Sequence, residues 1–201
     1  RARGNASQLV GPASLAGGLT EDAGGIRLGF IRDTLDEADF PSSGGRTELL
    51  LTANRASFGS EDNGEIADWI WDHAFSRGAH RLLLGARLHT TWGEPGLFEA
   101  VSPLGGFTNL SGYSERELLG DHVGLFRGVY YRRLGDAGKL FSVPAYVGAS
   151  VETGNVFPTR ERLMDLDGLV LAGSLFVGVD SPFGPVFFGY GANDDGESSF
   201  Y

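Results

Sequence analysis

His80-Arg-Leu-Leu-Leu-Gly-Ala-Arg-Leu-His-Thr-Thr-Trp92 decides the fold class. Leu82, Leu84, Ala86, Leu88 and Trp92 fall on one face of an extended segment. Arg81, Arg87 and His89 share the other with Leu83 and Gly85. A period of two is the signature of a strand, since successive side chains point to opposite faces. An apolar face backed by a charged one fits a barrel with a lipid-facing outside and a polar lumen. An antiparallel sheet with one wet face gives the same pattern.

The segments around it repeat this pattern. In Ser142–Glu152, Val143, Ala145, Val147, Ala149 and Val151 oppose Tyr146, Gly148, Ser150 and Glu152. Leu171, Gly173, Leu175, Val177 and Val179 oppose Ala172, Ser174, Phe176, Gly178 and Asp180. Further strands are expected from Gly25, over Arg46–Ser57, Ala67–Phe75, Val123–Leu134 and Pro185–Ala192, and from Ser198. Residues 1–24 give little signal beyond one strand near Gln8–Leu15. The total is about nine or ten strands of about ten residues, the length a tilted strand needs to cross a bilayer. The links after Thr34, Phe75, Leu134 and Val179 read as compact turns, and those between them as longer and more charged. Such alternation belongs to outer-membrane barrels. Trp69, Trp71, Trp92, Tyr130, Tyr131 and Tyr190 suit interfacial girdles and equally a buried aromatic core.

Composition sets the limits. Thirty-two Gly and fourteen Phe in 201 residues, with one Met and no Cys, suit an all-β protein rich in turns. The lack of Cys excludes a disulfide framework and a thiolate metal site. A net charge of −10 argues against a nucleic-acid partner, which needs clustered Lys and Arg. No apolar run reaches the roughly 18 residues of a transmembrane helix. Starting at Arg1 and stopping inside strand-like sequence, the chain reads as a segment of a longer protein.

No residue set points to catalysis or to a cofactor. Gly148-Ala-Ser-Val-Glu152 lacks the closing Gly of a nucleophile elbow and lies in a strand. His73, His80, His89 and His122 are scattered without metal-ligand spacing. Asp33, Asp36, Glu37 and Asp39 lack a calcium loop's spacing and read as a solvated turn. Glu115 and Glu117 read as neighbouring charges in an exposed loop.

The long gap over residues 93–122 is too apolar for a linker: Phe98, Val101, Leu104, Phe107, Leu110 and Tyr113 lie within it. Gly105, Gly106 and Gly112 allow close backbone approach. We expect this loop to fold back into a cavity made by the strands.

Three stretches carry a family resemblance: Pro103-Leu-Gly-Gly-Phe-Thr-Asn-Leu-Ser-Gly-Tyr113, Tyr146-Val-Gly-Ala-Ser-Val-Glu-Thr-Gly-Asn155, and the run from Phe176 to Gly191. In order and spacing they resemble the C-terminal barrel of the bacterial surface antigen superfamily, which includes outer-membrane assembly factors and two-partner secretion transporters. The nearest branch is the type Vd autotransporters, whose barrel is fused behind a patatin-like phospholipase. The resemblance covers about residues 25–201. It implies an antiparallel transmembrane β-barrel of about sixteen strands, of which this chain holds the last nine or ten.

It further implies a translocator or anchor in the bacterial outer membrane. The implied partners are outer-membrane lipid, the chain's own N-terminal passenger, the barrel assembly machinery and, in some settings, a second copy. A parent phospholipase with its catalytic dyad upstream is an alternative; a soluble β-sandwich binding module is a third. The motif residues are Gly105, Gly106, Leu110, Ser111, Gly112 and Tyr113, facing Glu152 and Gly154 on a following strand. Relatives place Arg where Ser111 stands and pair it with the acidic position matched by Glu152. Without that cation, Glu152 is expected to protonate, take water, or find Arg87, Arg116 or Arg127. The loop is then expected to be held mainly by apolar packing and glycine contacts.

Overall fold

The computed structural model describes residues 2–14, 20–60, 63–93, 101–134, 144–164, 168–181 and 183–201, with side chains from residue 24 onward except 164. The chain is all-β. Ten strands form one antiparallel sheet in the order β1 (Ala2–Ser14), β2 (Thr20–Asp33), β3 (Gly44–Asn54), β4 (Gly64–Arg77), β5 (His80–Gly93), β8 (His122–Leu134), β9 (Ala145–Phe157), β10 (Val170–Ser181), β11 (Gly184–Asn193) and β12 (Ser198–Phe200). Between β5 and β8, β6 (Ser102–Leu104) and β7 (Leu118–Gly120) pair as a separate short hairpin. Among the described residues nothing pairs β1 with β12, so the sheet has two edges.

The register makes the two faces explicit. Asp72, Gly85, Arg127, Glu152, Ala172 and Asn193 lie in one row across β4, β5, β8, β9, β10 and β11. All face the side on which the 101–121 segment lies, and we call this face inner. Leu82, Phe126, Val147, Leu175 and Phe188 point the other way and are exposed. The sides expected for β5, β9 and β10 from their period of two are those found.

The sheet is strongly curled. Phe40, on the link between β2 and β3, packs on Tyr146 of β9 and Phe187 of β11. From β3 to β11 is six strand spacings, about 29 Å along the sheet. Phe40 lies four residues before β3, a tether of at most about 14 Å. Only a sheet bent round an enclosed space brings the two together.

Two expectations about the links need correction. The links at one end are 34–43, 78–79, 135–144 and 182–183; at the other they are 15–19, 55–63, 94–121, 158–169 and 194–197. The 34–43 and 135–144 links are as long as 55–63, so the asymmetry rests on 94–121 and 158–169 alone. The 36–45 stretch is also no purely solvated turn, because Phe40 is 2 % exposed.

Candidate functional site

Over its described residues, 101–121, the loop turns inward as expected; Phe98 lies outside the described residues. Leu104, Leu110 and Tyr113 form one buried cluster with Val123 and Leu125 of β8 and Val170 and Ala172 of β10. Leu104, Leu110 and Ser111 have no exposed surface. Phe107 sits edge-on to Phe176 at 5.2 Å, and lies 5.5 Å from Phe187 and 5.7 Å from Tyr201.

Backbone conformation explains the local composition. Gly105, Gly106 and Gly112 have φ of 112°, 110° and 103°, a region closed to residues with a side chain. At Gly112 a Cβ would also come 2.8 Å from the Glu197 carbonyl oxygen. Thr108 and Leu110 take positive φ as well, 53° and 76°. For Leu this costs free energy and persists only where the surroundings impose it.

What imposes it is Glu152, which is 1 % exposed. Its Oε2 accepts the backbone N–H groups of Leu110 and Ser111, both at 2.7 Å. Its Oε1 accepts the Ser111 hydroxyl at 2.8 Å and the Ser150 hydroxyl at 2.5 Å. Ser150 in turn lies 2.6 Å from the Ser174 hydroxyl. Two successive amides aimed at one oxygen form a backbone nest, which favours negative charge. Four donors on one buried carboxylate offset much of its desolvation.

The expectation of a loop held mainly by apolar packing is therefore incomplete. The donors that Glu152 has are two main-chain amides and two hydroxyls. None of the three arginines considered as substitutes reaches Glu152. Arg127 is its cross-strand neighbour, but pairs instead with Asp72 at 2.8 Å and donates to the Thr108 carbonyl at 3.2 Å. Gly85 lies between that pair and makes it possible, since a Cβ there would be 2.5 Å from Asp72 Oδ1 and 2.7 Å from Arg127 Nε. Arg87 donates to the Ser102 hydroxyl and the Pro103 carbonyl, at 2.6 and 3.0 Å. Arg116 is exposed beside Glu115. Arg87 and Arg127 thus grip the loop backbone while Glu152 grips its tip.

At Gly154 a Cβ would come 2.4 Å from the Gly124 carbonyl oxygen, so this glycine serves the close approach of β9 to β8. A second anchor comes from the C-terminal side. The Tyr201 hydroxyl accepts the Gly112 N–H at 3.0 Å and donates to the Tyr113 carbonyl at 2.7 Å. The Tyr113 hydroxyl donates to Asp195. Burial, followed by this bond and the charges of Asp195, Glu197 and Glu117, pushes the Tyr113 phenol up to about 12. At Gly191 a Cβ would come 2.6 Å from that of Ser111.

Sequence reasoning placed the loop tip and Glu152 but missed Ser150, Ser174, Gly191 and Tyr201. Ser150 was within reach, since it lies two residues before Glu152 on the same face. Nothing local marks Tyr201. The histidines lie apart: His89 bonds Asp68 at 2.7 Å, His122 bonds Thr90 at 2.9 Å, His80 bonds Tyr130 at 2.6 Å, and His73 sits on the outer face between Trp71 and Phe75. Asp36 accepts the Ser42 hydroxyl and the Ser42 and Ser43 amides. Burial acts to raise its pKa, but these bonds outweigh it and hold the carboxyl below the usual range. No family model matches the chain, and no curated protein matches it.

Proposed function

We propose that this chain is the membrane-embedded part of an outer-membrane β-barrel that anchors or exports a passenger segment, with residues 101–121 as a loop housed in its lumen. The observation that carries this reading is the outer face. Eight strands of the large sheet, β2 to β5 and β8 to β11, put large apolar side chains there in the open: Leu28, Leu51, Trp69, Leu82, Phe126, Val151, Leu175 and Phe188 are each at least 36 % exposed. A soluble protein rarely leaves a continuous apolar face larger than a few hundred Å² uncovered. In a bilayer the same face is in its preferred solvent, and the antiparallel sheet satisfies its own backbone. A soluble sandwich would cover it with a second sheet.

The inner face supports the rest. Asp72, Arg81, Arg87, His89, Arg127 and Glu152 lie on it beside the apolar cluster that meets the loop. By the resemblance drawn above, the passenger is a patatin-like lipase preceding this chain. The barrel's part is then passive: its polar lumen or seam admits the passenger, and strand pairing supplies the free energy.

The chain has no cysteine, which makes the test direct. Single cysteines at Leu175 and Val151 on the outer face, and at Ser174 on the inner, are labelled with an environment-sensitive fluorophore in lipid vesicles. Spin-labelled lipid should quench the first two and spare the third. Heat-modifiable migration on a gel should accompany this. Equal quenching at all three, or ready solubility in plain buffer, sinks the proposal.

A further inference from the structure

The link between β2 and β3 is acidic and exposed at Asp36, Glu37 and Asp39, yet its Phe40 is among the most deeply buried side chains described. The Phe40 ring lies parallel on Tyr146 at 4.0 Å and 12°, meets Tyr131 edge-on at 5.9 Å, and lies 5.0 Å from Phe187. Gly178 makes the space: a Cβ there would be 2.7 Å from Phe40 Cζ. The backbone is held as well. The Phe40 carbonyl accepts from Arg81, and the Pro41 carbonyl accepts from the Tyr131 hydroxyl at 2.5 Å. The Glu37 carboxylate lies 3.3 Å from Arg81, whose guanidinium sits 5.3 Å over the Tyr146 ring.

Host and occupant have different origins. Arg81, Tyr131, Tyr146, Gly178 and Phe187 belong to five strands, β5, β8, β9, β10 and β11, and are fixed by strand pairing. The occupant is a link that crosses to them from β2 and β3. It is recognised by an aromatic ring, two successive carbonyls and a carboxylate three residues before the ring. Neither strand pairing nor covalent attachment to the sheet enters that recognition. Stacked aromatics with hydrogen bonds to main-chain carbonyls are a general means of holding a peptide.

We propose that this seat, which Phe107 of the 101–121 loop borders on its other side, is a peptide-binding site that residues 37–42 occupy in cis, and that its ligand is a passenger segment carrying an aromatic residue three positions after a carboxylate. The passenger as source rests on the translocator reading above; the seat itself does not. A tethered occupant acts at an effective concentration of order millimolar. The seat is therefore closed to weak ligands until the link is displaced.

The test replaces residues 37–42 with Asn-Gly, so that Asp36 and Ser43, already bonded N–H to carbonyl at 3.2 Å, flank a two-residue hairpin turn. A fluorescein-labelled peptide with the sequence of residues 37–42 is titrated into the detergent-solubilised protein and followed by anisotropy. The shortened protein should bind it at least tenfold more tightly than the unaltered one. The peptide with Ala in place of Phe should not bind, and Tyr146→Ala in the shortened protein should lower affinity at least tenfold. Binding no tighter than that of the unaltered protein, or equal binding of the Ala peptide, overturns the seat. If the shortened chain fails to give a strand-type circular dichroism spectrum, Phe40→Ser in the full chain empties the ring position, and the same two peptides decide. Peptide binding by a protein whose outer face is not quenched by lipid would keep the seat and remove the passenger as its source.

Discussion

Replacing Glu152 with Ala should free the inward loop without unfolding the sheet, and the size of the effect follows from the donors left behind. The carboxylate accepts two main-chain amides and two hydroxyls. Ser150 already lies within bonding distance of Ser174 and can redirect its proton there. The Leu110 and Ser111 amides have no such recourse. A buried donor left unsatisfied costs about 1–3 kcal/mol, so the pair costs about 2–6 kcal/mol. Glu152→Gln keeps an oxygen for both amides but loses the charge; since charge-assisted bonds are about twice as strong as neutral ones, roughly half that loss is expected.

Hydrogen exchange of the Leu110 and Ser111 amides, in detergent micelles, reads the local opening directly. A loss of about 3 kcal/mol speeds exchange more than a hundredfold. Amides of β9 and β10 that bond only within the sheet should be little changed. Trypsin cleavage at Arg116, which is exposed in the same loop at a φ of 60°, should rise in parallel. Exchange at Leu110 and Ser111 within twofold of the unaltered protein in Glu152→Ala would refute the claim that this carboxylate holds the loop.

Three further outcomes are expected. Ser111→Arg should lower the melting temperature rather than raise it: Ser111 is fully buried against Gly191, and Glu152 already has four donors. Gly112→Ala should cost about 1–3 kcal/mol from its positive φ alone, with further loss from contact with Glu197, measured as a drop in melting temperature. Tyr113 is held up to about 12 from its ordinary 10.0, so its contribution is fully present below pH 10 and is lost as pH rises toward 12; the melting-temperature advantage over Tyr113→Phe should be constant below pH 10 and shrink above it.

The strand faces were legible because one physical constraint governs them. Along β9 and β10 each residue meets either the packed interior or the outer surface, and the alternation of Val147, Ala149 and Val151 with Tyr146, Ser150 and Glu152 records this directly. Strand ends were less legible. β9 runs on through Asn155 and Val156 to Phe157, because these residues pair with Gly124, Val123 and His122. Asn155 there looks like a loop residue, and its side chain does reach a loop carbonyl, that of Gly168.

The β6–β7 hairpin, three residues to a strand, is too short for any period to register. Phe40 was hidden for a different reason. One aromatic among acidic neighbours averages to a polar turn, although its burial is decided by partners 90 to 150 residues away in sequence, roughly, on a curled sheet no local pattern describes. The candidate site divides in the same way. Its glycines and its glutamate are marked by residue type, while the amides that bond Glu152 carry no sequence signal, since every residue but proline has one.

The anchoring of residues 110–113 also has a temporal side. Each of the groups that hold this tip is made later than the tip itself: Glu152 follows Ser111 by 41 residues, and Tyr201 follows Gly112 by 89. During synthesis from the N-terminus, the Leu110 and Ser111 amides therefore have no carboxylate to accept them until β9 is in register, and Gly112 and Tyr113 have no phenol to bridge them until β12 has added to β11. Contacts so distant in sequence form slowly. Docking of the tip thus acts as a checkpoint, certifying in a single event that the five later strands of the sheet have found their neighbours.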